Sequence, residues 1–283
     1  MTYVDTTRKT NADPKRQLPE RPSRTLPVML LYPATGAPAA DGTPSDGAPA
    51  AAGRFPLVVF SHGITASGPV YTVLLQRLAR AGYVIAAPTF PLSGPGAQFP
   101  GDSVALGDYA NQPADVRFVI TKVLEQSAKR GDPLYGRVDP TEIAAAGHSL
   151  GAITTIGLVY NSCCQDPRVD AAVEISGLEL PFPNGTFGDT KTPVLLIHGA
   201  KDNVVGVAVG SDKMWTEARG PQWYLRYDAG DHTNLIFSAT YQQQTVDAIV
   251  AFLDAQLKRR TAALDALPAQ VQASGLGTFR RQG

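Results

Sequence analysis

The chain has 283 residues, of which 43% are hydrophobic and 18% charged, and its formal net charge is zero. This length suits one large domain with a sizeable core. A neutral chain creates no long-range field that would favour nucleic acid or an anionic membrane, so we expect a small-molecule partner and no nucleic acid. No apolar run approaches the roughly 18 residues of a membrane-spanning helix, so no integral membrane segment is expected.

Residues 1–25 are polar and rich in Thr, Arg and Pro, which predicts an extended lead-in before the main domain. Residues 1–18 contain no apolar segment of the kind found in signal peptides. We therefore expect no signal peptide in this chain. Two localisations stay open, a cytoplasmic protein and the mature part of an exported precursor, and the oligomeric state is left open as well.

Residues 26–258 alternate between apolar runs and helical periodicity, which predicts the folded domain. Continuous apolar runs predict buried strands at residues 28–32, 57–60, 83–87, 143–146, 171–175, 194–197 and 223–227. Apolar residues at helical spacing predict helices at residues 70–80, 114–127, 152–160 and 244–257. This alternation predicts an α/β fold with a mostly parallel twisted sheet and helices on both faces.

Three segments lack such periodicity. Residues 36–53, which are rich in Ala, Pro, Gly and Asp, predict an exposed and disordered loop inside the domain. Residues 90–109 predict a second long loop. Residues 259–283 predict an Ala-rich C-terminal tail with at most one short helix, followed by disorder. No long inserted helical segment separates the core elements, so we expect no separate lid domain.

The sequence GHSLG at residues 147–151 matches the nucleophile-elbow pattern G-x-S-x-G. It follows a predicted strand and precedes a predicted helix, as the motif requires. The two glycines remove side chains that would collide with neighbouring backbone in a strained turn. Ser149 is therefore the predicted nucleophile. A chance Gly-Ser-Gly loop is the alternative, and this context disfavours it.

A serine hydroxyl needs a base, which follows the nucleophile in chains of this fold. Among the four histidines, only His198 and His232 come after Ser149. His232 lies between the last predicted strand and the last predicted helix, which favours it as the base over a solvated loop histidine. His198 ends a predicted strand, and we expect it to pack beneath the loop that follows.

Asp202 is the favoured orienting acid, because it follows the strand at residues 194–197 and its loop neighbours the base loop. Glu179 is the alternative, since some members of the fold place the acid one strand earlier. Asp231 adjoins the base in the sequence. Consecutive side chains seldom face each other, so we expect Asp231 to form a turn.

The negative oxygen that develops during acyl transfer needs hydrogen-bond donors. The backbone N–H groups of Ile64, in the SHGI sequence after an early strand, and of Leu150, directly after the nucleophile, are the predicted oxyanion hole. His62 is expected to shape this loop. No nucleotide-binding glycine motif and no His/Asp cluster with metal-ligand spacing occurs, so no cofactor and no metal are expected.

The only cysteines are the adjacent pair Cys163 and Cys164. Bridging neighbouring cysteines requires a strained ring, so the favoured interpretation is two small buried thiols. A vicinal disulfide in an oxidising compartment is the alternative.

Taken together, several segments resemble the bacterial dienelactone-hydrolase-like proteins related to platelet-activating-factor acetylhydrolases, within the α/β-hydrolase superfamily. The resemblance covers about residues 3–255. Its segments are YVDT at 3–6, RTLP at 24–27, YP at 32–33, FSHG at 60–63, QPADVRFV at 112–119, GHSLG at 147–151 and GDH at 230–232. It implies one α/β-hydrolase domain, Ser–Asp–His catalysis without a metal, and ester or lactone substrates. Relatives of this kind are often exported.

The chain departs from that family at two points. Dienelactone hydrolases use a cysteine nucleophile, whereas this chain has Ser149. The animal acetylhydrolases carry their acid one strand earlier, where ISGL at residues 175–178 has no Asp; this supports Asp202. We therefore predict a serine esterase for short acyl chains. The alternatives are a polyester- or lactone-directed hydrolase and a non-catalytic binding module of the same fold.

Overall fold

One twisted sheet runs through the molecule. The computed structural model describes residues 1–36, 39 and 42–283. Over these residues the sheet has nine strands in the order β1-β2-β4-β3-β5-β6-β7-β8-β9. The strands are β1 (Thr2–Asp5), β2 (Arg24–Leu31), β3 (Phe55–Ser61), β4 (Val84–Pro88), β5 (Val138–His148), β6 (Ala171–Ile175), β7 (Val194–Gly199), β8 (Gln222–Tyr227) and β9 (Gly277–Gln282). Strands β3 to β8 are parallel, and β1, β2 and β9 pair antiparallel at the two edges. The predicted mostly parallel sheet is confirmed.

Helices cover both faces of this sheet. They are α1 (Thr72–Arg80), α2 (Ser103–Gly107), α3 (Gln112–Ala128), α4 (Leu150–Tyr160), α5 (Ser211–Glu217), α6 (Asn234–Phe237), α7 (Ala239–Lys258) and α8 (Ala262–Ser274). Adjacent residues of β3 point to opposite cores, because side chains alternate along a strand. Val58 packs in the layer that contains α1, α7 and α8, whereas Val59 packs in the layer that contains α3 and part of α4. The central strands are therefore buried on both faces, as their continuous apolar runs predicted.

Parallel pairing brings the carboxyl ends of the central strands to one edge of the sheet. The register pairs Ser61 of β3 with Gly147 of β5, and Gly199 of β7 with Tyr227 of β8. The loops that follow β3, β5, β7 and β8 therefore start side by side. This is where ligands bind in open sheets of this kind.

The prediction of disorder after one short C-terminal helix is wrong. Helix α8 occupies Ala262–Ser274, and β9 then pairs antiparallel with β8, with Phe279 opposite Leu225. The sequence of β9, GTFRRQ, is polar and mostly exposed. An edge strand can be held by main-chain hydrogen bonds on one side, so it needs no apolar alternation to form.

Three short helices were also missed by the sequence interpretation. Helix α2 lies inside the predicted loop at residues 90–109, and α5 and α6 follow β7 and β8. They are five, seven and four residues long, which is too short for a recognisable apolar period. Part of the loop predicted at residues 36–53, namely 37, 38, 40 and 41, lies outside the described residues. Residues 43–47 of that loop are exposed, and Ala34 pairs with Ala50 beside them.

The lead-in at residues 1–25 is fastened to the domain by a buried charge cluster. Arg24, which begins β2, donates to Asp115 over 2.7 and 2.5 Å and to Asp108 over 3.1 and 3.2 Å. All three side chains are fully buried. Burial raises the pKa of Asp108, and the neighbouring Arg24 opposes this shift. Arg8 donates to Asp115 as well, over 2.6 Å, so the lead-in is held against α3.

No helix of the described residues is long and apolar enough to cross a membrane.

Replacing Arg24 should unfold the chain more readily than replacing an exposed lysine. Arg24→Met leaves the buried Asp108 without its cation and the buried Asp115 with Arg8 alone, and such a loss costs about 3–5 kcal/mol. Lys9→Met removes a cation from an exposed pair with Glu20, which contributes ~1 kcal/mol or less. Urea denaturation measures both free energies of unfolding. Equal losses in the two variants would contradict a structural role for the buried cluster.

Candidate active site

Ser149 occupies a strained turn between β5 and α4. Its φ is 56° and its ψ is −120°, a conformation that residues with a side chain rarely adopt. The turn is closed by Gly147 and Gly151. A Cβ on Gly147 would collide with the carbonyl oxygen of Gly151, and a Cβ on Gly151 would collide with that of Ser61. The two glycines are therefore required by backbone contact, and the turn leaves the Ser149 side chain half-buried rather than enclosed.

A hydrogen-bonded series links Ser149 to His232 and Asp202. His232 Nε2 lies 2.9 Å from Ser149 Oγ, and His232 Nδ1 lies 2.7 Å from Asp202 Oδ2. Because a carboxylate can only accept, Nδ1 carries a proton, so in the neutral imidazole Nε2 is the nitrogen that can accept one from the serine. The structure thus brings together the three side chains that the sequence predicted as nucleophile, base and acid.

Asp202 is held by the loop that follows β7. Its Oδ1 accepts the backbone N–H groups of Val204 at 2.9 Å and Val205 at 2.8 Å. Its Oδ2 faces His198 Nε2 at 3.2 Å as well as His232. Burial alone would raise the pKa of Asp202, but the hydrogen bonds from His198, His232 and Val205 outweigh it and hold this pKa well below its usual range. Asp202 is therefore a carboxylate at neutral pH.

The two other acids considered from the sequence lie elsewhere. Glu179 approaches Lys213, with 4.0 Å between the charged atoms. Asp231 accepts the backbone N–H groups of Thr233 and Asn234 at 2.9 and 2.8 Å, so it forms a turn as expected. In the described part of the chain, neither carboxylate hydrogen-bonds to His232.

The loop that carries Ile64 lies directly against the elbow. A Cβ built on Gly63 would lie 3.3 Å from the Ser149 Cβ, and the Ile64 side chain packs in the same apolar cluster as Leu150. Leu150 is the first residue of α4, and the first N–H groups of a helix have no acceptor within the helix. Both predicted oxyanion donors therefore belong to backbone next to the Ser149 side chain.

A buried chain of hydrogen bonds, which sequence reasoning missed, ties three of these loops together. Tyr71 Oη accepts the Gly63 N–H at 3.0 Å and donates to His148 Nδ1 at 2.9 Å. His148 Nε2 then donates to the His232 carbonyl oxygen at 2.8 Å. The chain thus fixes the Ile64 loop, the elbow and the His232 loop relative to one another. His148 was visible inside the GHSLG motif, but no sequence pattern points to Tyr71 as its partner.

His62 and His148 are both held neutral. His62 Nδ1 donates to Gly63 O at 2.7 Å, and its Nε2 accepts the Phe90 N–H at 3.0 Å. Burial lowers the pKa of His62 to about 4 and that of His148 to about 3. His62 therefore shapes the loop, in line with the structural role expected from the sequence.

These two histidines make the fold sensitive to mild acid. A histidine whose pKa falls on folding binds fewer protons than in the unfolded chain, where it titrates near ~6.5. Stability is therefore lost as the pH falls below that value, at up to about 1.4 kcal/mol per pH unit for each such histidine. In His148→Gln, which keeps a donor for the His232 carbonyl, the slope between pH 6.5 and 4.5 should fall by about that amount. Urea denaturation across this range measures it. An unchanged slope would contradict a buried neutral His148.

The structure joins Cys163 and Cys164, which follow α4, in a vicinal disulfide. The favoured interpretation of two reduced thiols is therefore wrong, and the alternative is the one found. Ring strain favoured the thiols in the sequence interpretation, but both states suit a helix end, so the sequence did not decide between them. The described residues contain no group of three or more His, Cys, Asp or Glu side chains arranged to hold a metal ion.

Comparison with known proteins agrees with this fold. The family model described as "Alpha/beta hydrolase family" matches residues 58–278, so the chain belongs to the α/β-hydrolase family. Its structure is similar to a ferulic acid esterase from Streptomyces cinnamoneus, with a TM-score of 0.74 and 23% identity over 100% of this chain and 95% of that one. At this identity the likeness shows the shared fold. No curated protein matches the sequence.

Proposed function

We propose that this chain is a carboxylic ester hydrolase in which Ser149 is the nucleophile, His232 the base and Asp202 the orienting acid. The observation that carries the proposal is the series Ser149–His232–Asp202, hydrogen-bonded at 2.9 and 2.7 Å on a strained elbow. Such a turn costs free energy, and a serine without a role in catalysis does not require one that directs its hydroxyl at an imidazole nitrogen.

The proposed reaction has two steps. His232 Nε2 takes the proton of Ser149 as the hydroxyl oxygen attacks the ester carbonyl, and the N–H groups of Ile64 and Leu150 stabilise the resulting oxyanion. His232 then gives the proton to the departing alcohol and leaves an acyl-enzyme. A water molecule, activated by the same imidazole, attacks the acyl carbon and releases the acid. Asp202 holds the imidazole orientation and stabilises its charged form.

The acid assignment has a direct mutational test. Asp202→Asn should lower kcat on a chromogenic short-chain ester by about 10⁴-fold, as in comparable triads, because the amide no longer favours the required tautomer. Glu179→Gln removes a carboxylate from the neighbouring loop and should leave kcat within about twofold. Circular dichroism checks that both variants fold. A larger loss of kcat in Glu179→Gln than in Asp202→Asn would instead assign the orienting acid to the loop after β6.

A small apolar cluster lies beside Ser149. Leu150, Ile153, Cys164 and Phe182 are buried there, and Ile64, Tyr109, Leu178 and Phe187 pack against them. Tyr109 connects the loop at residues 90–109 to the loop at residues 178–192, because it contacts Pro181 and Phe182. Its ring lies 5.1 Å from that of Phe182, edge to face, and its hydroxyl donates to the Pro181 carbonyl. Phe182 in turn lies against Gly157, where a Cβ would meet its ring.

This contact between the two loops supports a preference for short acyl chains, about C2 to C6. Each buried methylene contributes roughly 0.8 kcal/mol, so the gain stops where further methylenes of the acyl chain can no longer be buried, and we infer that the Tyr109–Phe182 contact sets that limit. The value of kcat/KM for p-nitrophenyl esters should therefore peak between acetate and hexanoate. Tyr109→Ala opens the contact between the loops and should move the optimum to longer chains. An optimum at palmitate in the unaltered protein, or a rate increase above the micellar concentration, would contradict this part of the proposal.

Two other functions compete with this one. A polyester- or lactone-directed hydrolase would use the same residues, and assay of a polyester film and of lactones beside the p-nitrophenyl series separates it. A non-catalytic binding module is disfavoured, because such a module has no need of all three side chains in register. The resemblance to dienelactone-hydrolase-like proteins is part of this proposal, and the general family model supports only its superfamily level.

A further inference from the structure

A further buried histidine, His198, contacts Asp202, and the proposed reaction does not use it. His198 Nδ1 lies 2.7 Å from Ser211 Oγ, and Ser211 Oγ lies 2.7 Å from Glu174 Oε2. The other carboxylate oxygen of Glu174 accepts the Gly177 N–H. His198, Ser211 and Glu174 are all 0% exposed. A buried acid on β6 is therefore connected, through one hydroxyl and one imidazole, to the acid of the proposed triad.

The donors and acceptors along this series fix the position of every proton except one. That proton can lie on His198 or on Glu174. His198 Nε2 lies 2.9 Å from the Val205 carbonyl oxygen, which can only accept, so Nε2 carries a proton. The Ser211 hydroxyl can donate once. If it donates to Glu174, His198 Nδ1 must also be protonated and the ring is an imidazolium. If it donates to His198, Glu174 must be a neutral acid.

We propose that the proton resides on His198, as an imidazolium between Asp202 and Glu174, and that His198 is a positioning residue that reduces the negative charge Asp202 presents to His232. The proposal rests on the proposed function for its catalytic consequence only. A carboxylate on each side stabilises the charged ring, and Glu174 has a hydrogen-bond donor on each of its oxygens. The ring is also confined, because a Cβ on Gly210 would lie 2.7 Å from His198 Cε1.

The electrostatics of His198 agree with this placement, whereas the burial of Glu174 opposes it. Burial would lower the pKa of His198, but its hydrogen bond with Asp202 and the charge of Glu174 outweigh burial and raise it. Burial raises the pKa of Glu174, and the charge of His198 together with the Ser211 and Gly177 hydrogen bonds opposes that rise. Asp202, whose carboxylate lies 3.2 Å from His198 Nε2, adds a negative charge beside the ring and favours the imidazolium.

The other titratable groups around His232 and His198 do not supply such a charge. His148, with its ring 4.9 Å from that of His232, is held neutral. Tyr224 and Arg226 of β8 both donate to Asp212 of α5, and Asp231 is engaged in its own turn. Lys201 of the Asp202 loop is exposed. His198 is therefore the cation that acts on Asp202 from inside the protein, and it should keep His232 neutral, and so active, at lower pH.

The proton position can be observed directly in the unaltered protein, without any assay. Histidine-selective ¹⁵N labelling and ring-nitrogen correlation spectra at pH 7.5 distinguish a doubly protonated ring from either neutral tautomer. We expect His198 to be doubly protonated. His62 and His148 are internal controls, with single protons on Nδ1 and Nε2 respectively. A His198 ring with an unprotonated Nδ1 would overturn the proposal, whether or not the chain hydrolyses esters.

The consequence for catalysis is tested with Glu174→Gln. Gln is isosteric with a protonated Glu, and its amide donates to Ser211, so the hydroxyl turns to His198 and the ring becomes neutral. The midpoint of the acid limb of kcat/KM should then move up by about half to one pH unit. Glu179→Gln removes the same charge from the surface and should not move it. A structural role alone would lower the melting temperature and leave the midpoint in place.

The outcomes separate the two proposals. A doubly protonated His198 with no ester turnover would refute the proposed function and leave the ion pair intact. Turnover with an unmoved midpoint in a folded Glu174→Gln variant would refute the role of His198 in setting the pH range. If that variant does not fold, the ring-nitrogen spectra of the unaltered protein still decide where the proton lies.

Discussion

The site depends on one backbone constraint, the positive φ of Ser149. A residue with a Cβ in such a conformation costs about 1–3 kcal/mol and persists only when its surroundings hold it there. The surroundings here are close backbone contacts: Gly147 against Gly151, and Gly151 against Ser61. Because these contacts join the ends of β5, α4 and β3, the serine conformation is a consequence of how the central strands and helix pack.

The remaining parts of the site are positioned from the same edge of the sheet. Strand β7 leads into the Asp202 loop and β8 into the His232 loop, and Gly199 lets the two loops touch, because a Cβ there would collide with the Gly230 carbonyl. The Tyr71–His148 hydrogen bonds then connect the His232 loop to the elbow. His62 and His148, which are buried and neutral, therefore have structural roles in this site. The pH dependence of stability and that of the proposed reaction arise from different side chains.

Much of this arrangement could be predicted from the sequence, because it follows from continuous apolar runs, from apolar residues at helical spacing and from one motif. Continuous apolar runs indicated the parallel strands, and GHSLG at residues 147–151 indicated the elbow. The partners of His148 and His198 could not be predicted, since Tyr71, Ser211 and Glu174 lie 77, 13 and 24 residues away from them and no local pattern marks such pairs. Strand β9 was missed because a polar edge strand lacks the apolar alternation that identifies strands.

The central claim is that Ser149 carries the acyl group between the two steps. It is tested most directly by mixing the protein with a slowly hydrolysed ester, quenching in acid, and mapping the adduct by peptide mass spectrometry. The account predicts a mass increase of one acyl group on the peptide that contains Ser149, absent from Ser149→Ala. Turnover of the ester with the acyl group on another residue, or undiminished turnover by Ser149→Ala, would contradict it.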